Sequence, residues 1–216
     1  MTFGRAGHQG RGLIARALVL AACLLPLGCA STKPTGPPVL RPNPYQAPAY
    51  QVVGDAIVAS LGGVSVTLRW LDEGGVRGYY AARPGLILPW PEELWKEAPP
   101  TVFLLRISNQ TREEVQFDPG LVALVAQVGE RQRPIPYEEM YMRLQETEDA
   151  QARLLTLQAT LLSRFVVISP GGQRDGLLLF AAIDPEAKLL MLDLASFFVG
   201  GRVNPGRFEF QGTLLS

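Results

Sequence analysis

The sequence predicts a mainly β protein, an antiparallel β-sandwich with a helical insertion at about residues 137–163. Short apolar segments separated by Gly and Pro turns are typical of sandwiches and barrels. Apolar and polar side chains alternate through residues 64–71, as they do in a half-buried strand. Helical spacing is clear in one segment, and predicted strands lie both before and after it.

The first predicted strands form a hairpin. Residues 54–61 and 64–71 flank Gly62-Gly63, which is a two-residue turn signal. Residues 72–75 indicate a further turn, and Gly78-Tyr79-Tyr80 is predicted to begin another short strand.

The strongest strand signals lie at residues 101–108 and 177–180. Residues 101–108, TVFLLRIS, are rich in β-branched and aromatic side chains. The run Leu177 to Phe180 is apolar on both faces, which places it in the middle of a sheet or beneath a helix. Pro134 and Pro136 restrict residues 131–136 to an edge. Further strands are expected near 115–117, 121–128, 164–169, 176–182, 188–194 and 207–214.

Residues 137–163 are the predicted helical insertion. Apolar side chains recur there at helical spacing, but Thr147 and Glu148 leave the middle of the stripe polar. One helix and two helices joined near residues 146–150 are both compatible with this pattern. The insertion is either a cap over an open part of the sandwich or a docking element for another protein. Its stripe consists of Met140, Leu144, Leu154, Leu157 and Leu161.

Aromatic residues form a second candidate contact region. Trp90 and Trp95 lie in the irregular segment 84–100, close in sequence to Tyr79 and Tyr80. These rings either form a lip that binds a glycan or a peptide, or cap one end of the core as large apolar bodies with a polar handle.

Beyond residue 29 the chain lacks the side chains that many catalytic and metal sites require. The only His is His8, and the only Cys residues are Cys23 and Cys29. Zinc sites, Ser-His-Asp triads, Cys-His pairs and structural disulfides are therefore excluded. We expect no metal, no cofactor and no enzymatic activity.

A hydrolase that uses two carboxylates is the remaining enzymatic alternative. Neighbouring acids occur at Glu92-Glu93, Glu113-Glu114 and Glu138-Glu139. Consecutive strand residues point to opposite faces of a sheet, so such pairs on strands do not converge on one bond.

The N-terminal residues 17–31, ALVLAACLLPLGCAS, form an apolar run preceded by Arg5, Arg11 and Arg16. This is the order of a secretory signal peptide. With a Cys at the processing point, the stretch resembles a bacterial lipoprotein signal, which is cleaved before a Cys that then carries lipid. The resemblance implies a signal peptide at 1–28 and lipidation of Cys29.

Cys23 is the alternative lipidation site. The box before Cys29 has the expected Gly28, but it has Pro26 where Leu is usual. The box Leu20-Ala21-Ala22 before Cys23 fits better, yet it leaves only a short apolar run after the arginines.

A Pro-rich tether is predicted at residues 29–49, followed by one domain at 50–216. Removal of the leader takes three arginines from the balanced 20 basic and 20 acidic side chains. The slightly acidic remainder does not suggest a nucleic-acid partner, which needs a clustered basic face. Because Ala30 rather than Asp follows Cys29, the resemblance to Gram-negative sorting signals implies the outer membrane, facing the periplasm.

Two segments also resemble the immunoglobulin-like domains of bacterial lipoproteins and periplasmic proteins. They are VFLLRISNQT with Val115 and Phe117 after it, and FVVISPGG followed by GLLLFAAI. The resemblance covers residues 101–210 and departs from the pattern at the helical insertion and the N-terminal hairpin. It implies an immunoglobulin-like sandwich but no activity, because a fold does not decide function.

The expected function is that of a lipid-anchored envelope protein that binds or braces another envelope protein. Its expected contacts are Tyr79, Tyr80, Trp90, Trp95, Met140 and Leu144. Binding of a small apolar or glycan ligand is the alternative.

Overall fold

The computed structural model describes residues 38–95, 98–127 and 131–213, which belong to one compact unit, Pro34–Ser216. The chain is mainly β with antiparallel sheets in a sandwich-like arrangement, which confirms the predicted fold class. The finer immunoglobulin-like topology stays a prediction. The predicted signal peptide and both Cys residues lie outside the described residues.

The described strands are β1 Val39–Pro42, β2 Tyr50–Val53, β3 Ala56–Leu61, β4 Val64–Leu71, β5 Thr101–Ser108, β6 Val115–Phe117, β7 Ala123–Ala126, β8 Arg131–Gln132, β9 Val166–Ile168, β10 Gln173–Phe180, β11 Leu189–Leu194, β12 Phe197–Val199, β13 Arg202–Val203 and β14 Gly206–Thr213. Within the described residues they form three sheets, with the orders β1-β14-β11-β7-β8, β10-β5-β4-β3-β2 and β13-β12-β6-β9.

A cluster that we call the sandwich core takes buried residues from all three sheets. Phe103 at its centre lies 6.0 Å from Phe180 and 5.2 Å from Phe210, measured between ring centroids. Its buried members are Val, Leu, Ile, Ala and Phe residues, with Ile57, Phe117, Leu192 and Phe208 among the completely buried ones.

A second cluster, the helix-side core, lies between β4, β5 and β10 and the helical segments. The run Leu177 to Phe180 serves both clusters, because Leu178 and Phe180 belong to the sandwich core and Leu177 and Leu179 to the helix-side core. This confirms that the run is buried on both faces.

The predicted insertion contains two helices, α2 Tyr137–Leu144 and α3 Ala150–Thr160. Thr147 closes the end of α2, since its backbone N–H and its hydroxyl both donate to the carbonyl of Leu144. Asp149, the residue before α3, has φ of 57°. The two-helix alternative is therefore the correct one.

An additional helix, α1 Glu73–Ala81, occupies residues predicted as a turn and the start of a strand. That prediction is wrong because Asp72 caps a helix, its side chain accepting a hydrogen bond from the backbone N–H of Gly75 at 2.6 Å. Gly74, Gly75 and Gly78 hide this helix in the sequence, since Gly lowers helix propensity.

The prediction of a tether to residue 49 is also wrong in its second half. Val39–Pro42 pairs with β14 in an antiparallel ladder, and Leu40 is buried in the sandwich core. Pro42 is tolerated because β1 is an edge strand.

Candidate functional site: a cleft beside an edge strand

A cleft of about 350 Å³ opens where the end of α3 meets the edge of the sandwich. It combines buried leucines with exposed apolar and basic side chains. The residues that line it are Tyr137, Gln158, Leu161, Leu162, Ser163, Arg164, Phe165, Val166, Val167 and Arg174.

The floor of the cleft depends on close packing of the α3 end against β10. Leu161 forms a parallel bridge with Leu177, and the backbone N–H of Leu162 donates to the carbonyl of Leu177 at 2.9 Å. A Cβ on Gly176 would lie 2.7 Å from Cγ of Leu162 and 2.9 Å from the carbonyl oxygen of Thr160. Only glycine lets the helix end approach the strand this closely.

One wall of the cleft is formed by Phe165 and the strand β9 that follows it. The side chains of this segment alternate between core and solvent. Val166 and Ile168 pack into the sandwich core, whereas Phe165 is 58% and Val167 51% exposed. Two apolar side chains two residues apart are thus presented to solvent on the same face of an extended segment.

The cleft is basic. Arg164 and Arg174 are both exposed, and within the described part of the chain neither forms an ion pair. Of the described residues that line the cleft, none is acidic. Asp175, the neighbour of Arg174, is already paired with Arg83 at 3.0 Å.

The aromatic residues predicted as a binding lip are largely core residues. Tyr79, Tyr80 and Trp90 are buried in the helix-side core, and Trp95 packs against it. The rings of Tyr79 and Tyr80 pack edge to face with their centroids 5.1 Å apart, and the rings of Tyr80 and Trp90 do so with their centroids 6.1 Å apart. This arrangement matches the alternative in which the rings cap one end of the core.

The hydroxyl of Tyr80 is used inside the protein, whereas Nε1 of Trp95 is buried without a hydrogen-bond partner among the described residues. The hydroxyls of Tyr80 and Thr160 are hydrogen bonded at 3.1 Å, and Thr160 donates to the carbonyl of Thr156. Burial raises the pKa of Tyr80, and it also raises the pKa of Tyr79, against the opposing effect of the nearby Arg83 guanidinium. The guanidinium carbon Cζ of Arg83 lies over the Tyr79 ring, 3.6 Å from the ring centroid.

Met140 and Leu144, the predicted docking contacts on the insertion, are completely buried in the helix-side core. The stripe therefore holds the helices on the sheet, and a partner cannot reach these two side chains in this conformation. Larger apolar side chains exposed on the outer face of the helices are Tyr141, Met142 and Leu155.

The acidic neighbours at 113–114 and 138–139 lie on the surface and do not form a site. Glu139 pairs with Arg143 on α2, and Glu113, Glu114 and Glu138 are exposed. Among the residues whose burial is described, no Asp or Glu is buried. In the described ranges no group of His, Cys, Asp and Glu is arranged to hold a metal.

A helix with the length and hydropathy required to cross a membrane does not occur among the described residues.

Asn109 has a structural use that excludes another reading of its sequence. Asn109-Gln110-Thr111 matches the N-glycosylation pattern, but Asn109 is completely buried. Its Nδ2 donates to the carbonyls of Glu113, Ile168 and Ser169, which joins the β5–β6 turn to the end of β9. The motif thus belongs to a turn between β5 and β6.

Sequence reasoning missed the cleft because its residues come from three separate segments, at 137, 158–167 and 174. The signal that could have indicated it is the apolar alternation of Phe165 and Val167 opposite Val166 and Ile168. Both faces of that short segment are apolar, although only one faces the core.

Comparison with known proteins adds little. No protein-family model matches the chain, and no curated protein matches it. Among solved structures, the crystal structure of the YjhA protein from Bacillus subtilis superposes with a TM-score of 0.35 at 10% identity, covering 64% of this chain and 76% of that chain. A likeness of this size carries no argument about fold or function.

Proposed function

We propose that this chain is a lipid-anchored bacterial envelope protein that binds another envelope protein and catalyses no reaction. The observation that supports the binding part is the cleft beside β9, where exposed Phe165 and Val167 lie next to Arg164 and Arg174, which form no ion pair with any described residue. Apolar contact area combined with unpaired charge is typical of a surface that recognises a partner.

The leader supports the anchoring part of the proposal. Lipid attached at Cys29 would hold the domain at the outer membrane, and the residues before β1 would form the tether. A single acyl chain anchors only reversibly, so stable attachment requires more than one. The immunoglobulin-like sandwich belongs to the same proposal and is supported by the resemblance of residues 101–210.

Metabolic labelling with a fatty-acid analogue tests the anchor. We expect labelling of the unmodified chain and of the Cys23→Ser variant, and loss of label in Cys29→Ser. Label that persists in Cys29→Ser and disappears in Cys23→Ser would move the lipid to Cys23. Absence of label from all three would contradict the anchor.

Crosslinking followed by affinity capture of the lipidated protein from its own membrane tests partner binding. We expect the same envelope partner in independent captures. The control variant Tyr45→Ala should recover as much of this partner as the unmodified chain, since Tyr45 is 84% exposed and lies outside the cleft. If no partner recurs across independent captures, the protein-binding proposal fails.

A small ligand is the second candidate, because a cleft of about 350 Å³ is within the size range of small-molecule sites. A small molecule that copurifies with the protein and is lost on blocking the cleft would favour this alternative. A carboxylate-based hydrolase has no such support, because none of the described residues that line the cleft is acidic.

A further inference from the structure

We propose that the cleft binds an acidic, extended peptide segment, which adds as a strand to the open edge of β9. This inference rests on the proposed function and narrows the chemistry of the partner. It follows from the edge, the exposed side chains and the charge of the cleft.

The edge of β9 is open. In its sheet β9 pairs with β6, and no second strand pairs with it among the described residues. The carbonyl of Ile168, at the end of β9, accepts a hydrogen bond from the Asn109 side chain. One side of such a strand presents unpaired N–H and C=O groups, which form a template for another strand. By contrast, the edge of β10 is partly covered, since Leu177 and Leu179 accept backbone hydrogen bonds from Leu162 and Ile135.

The side chains beside this edge suit an extended peptide. Phe165 and Val167 are exposed on one face of the segment, and the buried Leu161 and Leu162 form the floor of the cleft beside them. Strand addition uses main-chain hydrogen bonds for affinity and contacts to alternate side chains for specificity. The cleft supplies apolar surface at this alternate spacing.

The charge of the cleft selects the sign of the peptide. Arg164 and Arg174 lie on the lining without an ion-pair partner in the described ranges, and no acidic side chain accompanies them. Carboxylates form short, strong hydrogen bonds with guanidinium groups, whereas a basic peptide would be repelled. Acidic side chains alternating with apolar ones complement both features of the cleft.

Fluorescence anisotropy with defined peptides tests the proposal on the full lipidated chain in a non-ionic detergent. The probe is a short peptide that alternates valine with aspartate, and its counterpart alternates valine with lysine. We expect the aspartate peptide to bind, with an affinity that falls as salt is added. The lysine peptide should not bind.

The double variant Arg164→Gln, Arg174→Gln should weaken binding of the aspartate peptide by about tenfold, equivalent to about 1.4 kcal/mol. The matched control is Arg41→Gln, Arg202→Gln, which removes the same charge from exposed positions on β1 and β13. Its affinity should be unchanged, and thermal unfolding should show that both variants are folded.

Backbone methylation of the probe tests strand addition. Two versions of the aspartate peptide carry methyl groups on backbone nitrogens. One version is methylated at the valines, and the other is methylated at the aspartates. A strand that pairs along one edge uses the amides of one set, so one peptide should lose binding and the other should retain it. Equal binding by both methylated peptides would overturn strand addition.

The proposal is also overturned if the aspartate peptide does not bind, if the lysine peptide binds as well, or if the arginine variant binds normally. Binding of anionic phospholipid in mixed micelles without peptide binding would assign the cleft to a lipid surface instead. If membrane capture recovers a partner but the aspartate peptide does not bind, only the proposal that the cleft binds an acidic peptide is wrong. If capture also fails, the proposed function falls with it.

Discussion

The sandwich core and the helix-side core are built from different side chains. The buried members of the sandwich core are aliphatic residues and Phe, supplied by strands of all three sheets. The helix-side core contains Tyr79, Tyr80 and Trp90, and the hydroxyl of Tyr80 reaches Thr160 on α3. The first cluster thus gains stability mainly from apolar burial, whereas the second must also satisfy polar atoms.

This difference separates the framework from the part that shapes the cleft. The cleft floor is the junction at which α3 ends on β10, through Leu161 and Leu162. Damage to the sandwich core should unfold the whole domain, whereas damage to the helix-side core should first disturb the helices and the cleft.

The largest effect is expected from Phe103→Ala, which empties the centre of the sandwich core. Phe103 is completely buried between Phe180 and Phe210, so we expect a loss of about 3–5 kcal/mol in the free energy of unfolding. Denaturant titration measures it. The matched control Phe165→Ala, at a 58% exposed residue, should cost less than about 1 kcal/mol. Similar losses for the two variants would contradict this core assignment.

Met140→Ala is the corresponding change in the helix-side core. Met140 is completely buried, and its truncation should cost about 2–5 kcal/mol. Hydrogen exchange should show the amides of α2 and α3 losing more protection than those of β4 and β5. Met142→Ala, at a 63% exposed residue of the same helix, is the control. Uniform loss of protection throughout the domain would show that the two clusters unfold as one.

Gly176→Ala tests the junction between the two clusters. The added Cβ would meet Leu162 and the Thr160 carbonyl at under 3 Å, so we expect a cost of about 1–3 kcal/mol from overpacking. Gly78→Ala is the matched control, because no atom lies within 4 Å of its Cβ and the residue is inside α1. That change should stabilise the protein by up to about 1 kcal/mol. A neutral Gly176→Ala would mean that the helix end does not need this close contact.

Alkaline pH should weaken the helix-side core by a smaller amount. Burial raises the pKa of Tyr79 and Tyr80 above the ordinary value of 10.0. Their contribution to stability is therefore present below about pH 10 and is lost as the pH rises through the folded-state pKa values. Free energies of unfolding at increasing pH measure the loss, which should be smaller in Tyr79→Phe, Tyr80→Phe. The same pH dependence in both proteins would contradict the assignment.

The two cores also differ in how far the sequence predicts them. Alternation in Val64–Leu71 and the two-faced run Leu177 to Phe180 predict the sandwich strands and their burial, because a strand repeats every two residues. The helix α1 was missed because three glycines mask the cap at Asp72. Strand β1 was missed because prolines suggest a tether where an edge strand accepts one of them.

Local sequence patterns indicate only one wall of the cleft, the apolar segment 165–168. Its lining joins α2, the end of α3, β9 and β10, and the approach of α3 to β10 at Gly176 depends on tertiary packing. The predicted contacts Tyr79, Tyr80, Met140 and Leu144 are apolar or aromatic residues that the fold buries. Composition alone does not distinguish such residues from partner contacts. That Arg164 and Arg174 form no ion pair with the described part of the chain becomes visible only in the structure.

Site-specific photocrosslinking in the native membrane tests the central claim, partner binding at the cleft, most directly. A photoreactive amino acid replaces Phe165 in the cleft or, in the control, Tyr45, which is 84% exposed and outside it. We predict a reproducible crosslinked partner from position 165 and none from position 45. Equal crosslinking from both positions, or none from position 165, would contradict partner binding at this cleft.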